Sequence, residues 1–117
     1  MSDLKQMIVL RTDLKMRRGK EIAQGAHASM AVLLQNPDHP WIKEWLSGSF
    51  AKIAVGCSDE HELEEACRQA EDADIPVARI VDAGRTEFGG VPTFTCAAIG
   101  PAPAGLINPI TGGFKLR

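Results

Sequence analysis

Three polar side chains, Lys20, Gln24 and His27, recur at intervals of four and three residues, the spacing that sets them on one stripe of a helix. A lysine there can stabilise developing negative charge, an amide can orient a ligand, and an imidazole can act as a general base or an orienting donor. A lone helical histidine is read equally well as a structural hydrogen-bonder, and spacing does not separate these roles for His27. Immediately upstream, Lys15, Arg17 and Arg18 crowd a short loop that runs into Gly19 and Lys20. Free backbone N–H groups and the helix dipole at such a junction favour an anion, and glycine permits close approach. A phosphate is the natural guest; a solvated basic loop is the alternative that charge alone leaves open.

A second set lies in DAGRTE, residues 82–87. Asp82 follows an apolar run and opens a loop carrying Gly84, Arg85 and Thr86, and loops after strands of α/β sheets are where ligands usually bind. An aspartate that only caps the turn fits the same pattern. Thr86 and Thr95 are able to orient a water or hold a ribose, although threonine in and beside strands commonly has no such role. Arg85 either extends the basic surface or pairs with acidic residues elsewhere. The chain has no GxSxG, HExxH, GxxxxGK[ST] or GxGxxG motif and no tyrosine, which disfavours a covalent nucleophile or metal centre and excludes phenolic acid–base chemistry. Cys57, Cys67 and Cys96 are odd in number, lack CxxC spacing and read as reduced core residues of a cytoplasmic protein.

Composition sets the frame for these groups. A chain of 117 residues, 44% hydrophobic and 24% charged, suits one soluble domain with a radius of gyration of about 13 Å. The N-terminal MSDLKQ lacks an apolar leader core, and the apolar run at 30–34 is too short to span a bilayer, so neither secretion nor membrane insertion is expected. The net charge of −2 hides polarity: five of thirteen basic residues fall within 11–20, and eight of fifteen acids within 59–74. Such a chain steers an anion to one face without binding nucleic acid indiscriminately.

The elements that must hold the polar sets follow from periodicity. Residues 6–11 read as a strand covered on both faces. Ile22, Ala26, Met30 and Leu33 repeat at spacings of four, four and three, which predicts a helix with that stripe buried, ending near 35–37. Asp38 or His39 can cap a second helix with Pro40 in its first turn, carried by Trp41, Ile42, Trp45 and Leu46. A strand at 50–57 precedes a helix capped by Ser58 or Asp59 and packed through Leu63, Ala66, Cys67 and Ala70. Strands at 76–82 and 93–100 follow, the second stopped by Pro101 and Pro103, and the tail offers one short helical turn. The order predicts an α/β fold: a single domain over 1–117 with a four-stranded sheet and α-helices packed on both faces. Parallel right-handed crossovers are expected early and an antiparallel pair at the end.

RTDLKMRRGKEIAQGAHA at 11–28, then DAGRTE, AAIGPAP and ITGGFKL, together resemble the type-two, archaeal and eukaryotic peptidyl-tRNA hydrolases over almost the whole chain. The resemblance implies a four-stranded mixed sheet, a cytoplasmic homodimer, and hydrolysis of the ester joining a peptide to tRNA, with no metal or cofactor. It implies catalytic roles for Lys20, His27, Asp82, Thr86 and Thr95, and substrate contacts from Lys15, Arg17, Arg18, Gln24, Arg85 and Lys115. An inactive tRNA-binding or interaction module on the same fold is the alternative. The chain departs from the family pattern in having Val91-Pro92-Thr93 before the last strand and Asn108-Pro109 near the C-terminus, the latter removing one expected basic contact.

Overall fold

A computed structural model describes residues 3–85 and 88–117. The elements are β1 (Leu4–Arg11), α1 (Arg18–Gln35), α2 (Pro40–Ser47), β2 (Lys52–Cys57), α3 (Glu60–Asp72), β3 (Val77–Asp82), β4 (Thr93–Pro103), α4 (Ala104–Thr111) and β5 (Lys115–Leu116). Alternating apolar positions of β1 feed two cores. Met7 and Val9 join Leu63, Cys67 and Ile107 on the face covered by α3 and α4. Leu10 joins Ala28, Val32 and Ile42 on the face covered by α1 and α2. Side chains that alternate across a strand make this two-sided burial possible.

The sheet has five strands in the order β3-β4-β1-β2-β5, with β1 and β2 parallel and the other pairings antiparallel. It is therefore mixed, and the expectation of four strands is corrected to five. The added strand is two residues long; Val55 pairs with Leu116 and Gly56 with Lys115 as the tail folds back. So short a pairing leaves no alternation to read in a sequence. The β4 strand also runs beyond the expected stop, because Ala102 and Pro103 still pair with Lys5 and Leu4 across a register shift in β1. Prolines are accommodated at strand irregularities of this kind. The β3 strand runs parallel to β1 and β2 but lies at the far edge of the sheet, two strands beyond β1.

The buried stripe of α1 is not the expected one. Gln24, Gly25, Ala28, Ser29 and Val32 are buried, while of the expected stripe Ile22 and Met30 are 66% and 55% exposed, Ala26 is exposed and Leu33 is half-buried. Small residues let the helix lie close to the sheet: a Cβ on Gly25 would stand 3.4 Å from Ile8 Cγ2. The polar members are satisfied, with the Ser29 hydroxyl donating to Gln6 Oε1 at 2.6 Å and Gln6 Nε2 donating to the Gly100 carbonyl at 3.3 Å. Burial of polar groups carries little penalty once they are paired. Of the two cap candidates at each helix, the structure selects His39, whose Nδ1 accepts from the Trp41 N–H, and Asp59, which accepts from the Glu62 N–H.

Candidate active site

The loop of residues 12–17 turns the chain from β1 into α1. Lys15 takes a positive φ of 53° there and its N–H donates to the Thr12 carbonyl at 3.2 Å. Lys15, Arg17, Arg18 and Gly19 are exposed, and among the described residues no side-chain hydrogen bond caps the helix N-terminus. The sequence counted Arg11 with this cluster, but its guanidinium is bound to Asp13, Glu60 and the Phe94 carbonyl. The acidic helix claims Arg79 through Glu64 and Glu71, and Glu21 pairs with Arg117. Pairing thus commits Arg11, Arg79 and Arg117 to acidic partners.

One turn further, Lys20 Nζ donates to Asp82 Oδ1 at 2.8 Å, joining α1 to the end of β3 across 62 residues of chain. Both side chains are largely sheltered, at 15% and 13% exposure. Gln24 Nε2 lies 3.4 Å from the same oxygen, and the Gly84 N–H donates to Asp82 Oδ2 at 2.7 Å. The Lys20 hydrogen bond first, then the Gly84 N–H, with the neighbouring positive charge, hold the Asp82 carboxyl below the usual carboxylate range against the opposing effect of burial. The Phe88 ring lies 5.8 Å from Lys20 Nζ, as a cation–π neighbour.

Behind the pair, the fully buried Thr95 donates its hydroxyl to Gln24 Oε1. The Gln24 amide thus bridges Thr95 on β4 to Asp82 on β3, and Thr95 reaches the carboxylate only through it. Gln24 is 4% exposed, so the polar stripe expected on the open side of α1 is graded: Gln24 is sunk, Lys20 half-sunk and His27 exposed. His27 sits on the rim of the cleft that contains Asp82, and its charge contributes to the Asp82 shift only weakly. Arg85 is exposed just beyond Gly84. Thr86 lies outside the described residues. Lys115, on β5, stands at the opposite edge of the sheet from Asp82, four strand spacings or about 19 Å away.

Sequence reasoning missed Gly84 and Phe88. The glycine has φ +83°, and a Cβ there would meet the Val91 carbonyl oxygen at 2.4 Å, so only glycine keeps this N–H aimed at Asp82. A conserving substitution, Gly84→Ala, is expected to lower the melting temperature by at least about 4 °C, given roughly 1–3 kcal/mol for such strain in a domain of this size. Differential scanning fluorimetry checks it. The Gly in DAGR was the available signal, since a glycine two residues after an aspartate commonly marks an Asx-type turn.

The cysteines contribute no nucleophile. All three are free and buried, and burial pushes the thiols up to about 11 for Cys57 and Cys96 and about 12 for Cys67. Among the described residues no three His, Cys, Asp or Glu side chains gather as a metal site would require.

The chain as a whole is similar to known proteins. The family model described as peptidyl-tRNA hydrolase PTH2 matches residues 4–117, and the chain belongs to that family. A curated peptidyl-tRNA hydrolase of Saccharolobus islandicus is 40% identical over 119 residues, covering 97% of this chain and 98% of the relative. One from Thermococcus onnurineus is 41% identical over 114 residues, covering 96% of each. A solved structure from Agrobacterium tumefaciens, titled as a protein of unknown function, superposes with a TM-score of 0.69 at 13% identity over 100% of this chain and 99% of its own. That likeness concerns the fold alone.

Proposed function

We propose that this protein hydrolyses the ester between peptide and tRNA in peptidyl-tRNA, releasing tRNA for reuse. The observation that carries the reading is the Lys20–Asp82 pair set one helical turn inside a cation-rich helix start, in a chain of the peptidyl-tRNA hydrolase family. Phosphates of the tRNA bind Lys15, Arg17, Arg18 and the backbone N–H groups of the first turn, with Arg85 and, further across the same end of the sheet, Lys115 adding contacts. That fixes the 3′ ester beside Lys20.

As found, Asp82 is a weak base because Lys20 and Gly84 stabilise its charge. A carbonyl entering the site offers Lys20 a second partner. As the tetrahedral oxyanion forms, the ammonium shifts toward it, and Asp82, losing its strongest donor, gains the basicity to take a proton from the attacking water. Thr86 helps to align that water. Gln24, with Thr95 behind it, holds the carboxylate in place, and His27 on the rim orients the acyl group or shuttles the proton. The scheme calls on no metal or cofactor.

Incubation with an N-acetylated aminoacyl-tRNA tests it: released tRNA with free aminoacyl-tRNA spared supports the hydrolase, while binding without cleavage supports an inactive tRNA-binding module. Because each phosphate neutralised releases counterion, kcat/KM should fall steeply with salt. Lys15→Ala should reduce the log–log slope by about one while leaving kcat at saturation near normal. An unchanged slope removes Lys15 from the tRNA contacts.

The protein is further proposed to be a cytoplasmic homodimer. No helix among the described residues is long and apolar enough to cross a membrane, and free, buried thiols suit a reducing compartment. Supporting the dimer, an apolar groove of about 580 Å³ opens between α1 and β2 over Ile8, Leu10 and Ala54, with exposed Ile22 on its wall. Solvent-exposed apolar surface of this kind is commonly covered by a second copy. Sedimentation equilibrium should give twice the 12.6 kDa of one chain, and Ile22→Glu should restore the monomer.

A further inference from the structure

A second cleft, of about 680 Å³, continues from the Lys20–Asp82 pair along the other flank of α1, between the helix and the edge strand β3. Ala23, Met30 and Leu34 form its helical wall and Ile80, Val81 and Ala83 its strand wall, with Gln24, His27 and Asp82 at the polar end. Among the described residues, none of the cleft's lining apart from Asp82 is Asp, Glu, Lys or Arg. Leu34 and Val81 are 73% and 60% exposed, an arrangement that costs solvation unless a ligand covers them.

We infer that this cleft receives the peptide portion of the substrate and favours apolar side chains near the scissile ester. The inference rests on the hydrolase reading and on polarity along α1. The exposed cations of the helix start, Lys15, Arg17 and Arg18, lie on one side of Lys20. The tRNA, which is the anionic part, leaves in that direction. With its ester held at Lys20 and Asp82, the acyl part continues the other way, toward the C-terminal end of α1, where Met30, Ala31, Leu34, Ile80 and Val81 give apolar walls. From Ala23 to Leu34 the helix rises about 17 Å, which matches about five extended residues. Apolar walls read side-chain bulk without demanding one sequence, as befits a substrate whose peptide varies.

One tRNA body charged with N-acetyl-trileucine, N-acetyl-triglycine or N-acetyl-trilysine tests the assignment. The wild-type protein should hydrolyse the leucine substrate with a kcat/KM about tenfold or more above that of the glycine substrate, the difference residing in KM, since each buried leucine side chain withdraws apolar area from water. Leu34→Asp and Val81→Asp, both at exposed positions and so expected to fold, should each cut that ratio at least threefold and raise the relative rate on the lysine substrate. Hydrolysis of all three substrates at similar kcat/KM, or ratios untouched in both variants, overturns the cleft assignment while leaving the hydrolase intact. No hydrolysis of any substrate overturns the hydrolase reading and the occupant of the cleft with it.

Discussion

Lys20→Ala lowers kcat on an N-acetylated aminoacyl-tRNA by about 10²- to 10³-fold, the usual loss when one preorganised donor to an oxyanion is removed. The effect belongs to kcat because phosphate contacts at Lys15, Arg17 and Arg18 are retained, so KM moves little. The variant folds: Asp82 keeps the Gly84 N–H at 2.7 Å and the Gln24 amide at 3.4 Å, and α1 remains packed through Gly25, Ala28 and Val32. A circular dichroism melt beside single-turnover kinetics separates lost chemistry from lost structure. Lys20→Arg retains the charge but replaces a compact ammonium by a planar fork, so it restores only part of the rate.

Asp82→Asn is expected to cost about 10²- to 10⁴-fold in kcat, the range of a positioned general base. An amide neither takes the proton nor holds the Lys20 ammonium by charge. The pH dependence follows from the same pairing. The folded-state pKa of Asp82 lies below its ordinary value, with Lys20 the first cause. The pairing therefore stabilises the fold at pH above the unfolded carboxylate's pKa, and that contribution disappears as pH falls through the folded value. Carbon-13 NMR of the carboxyl should show Asp82 titrating below the usual carboxylate range in the wild type and higher in Lys20→Ala. A titration unmoved by that substitution contradicts the pairing.

Much of this architecture can be read from residue order. The strand–helix sequence, the caps at His39 and Asp59 and the polarised charge all follow from local chemistry. What cannot be read is tertiary. The Ile22–Met30 repeat has the stronger apolar signal on α1, yet the sheet takes the Gly25–Ala28–Ser29 side, because close helix–sheet approach rewards small size over hydrophobicity when each polar group finds a partner. The strand β5 exists only because the tail folds back to Val55 and Gly56.

The candidate site divides in the same way. Lys20, Gln24 and His27 share a helix face by spacing alone, but the pairing of Lys20 with Asp82 spans 62 residues, and the sequence pointed to it only through a family resemblance. The bridge from Thr95 through Gln24 to Asp82 depends on β4 lying beside β3. The Asp–Ala–Gly order hinted at the turn that aims the Gly84 N–H, whereas the Phe88 ring beneath Lys20 leaves no signature of type and spacing. Arg11 looked like an available cation until Asp13 and Glu60 were found to hold it.

The central claim is that Lys20 and Asp82 act as one hydrolytic unit, and the double variant Lys20→Ala/Asp82→Asn measures it most directly. If each residue works through the other, single-turnover kcat of the double variant will be no more than about threefold below that of the slower single variant, as groups acting as a unit behave. Losses that multiply across the two substitutions, or single variants that retain near-normal rates, would contradict it.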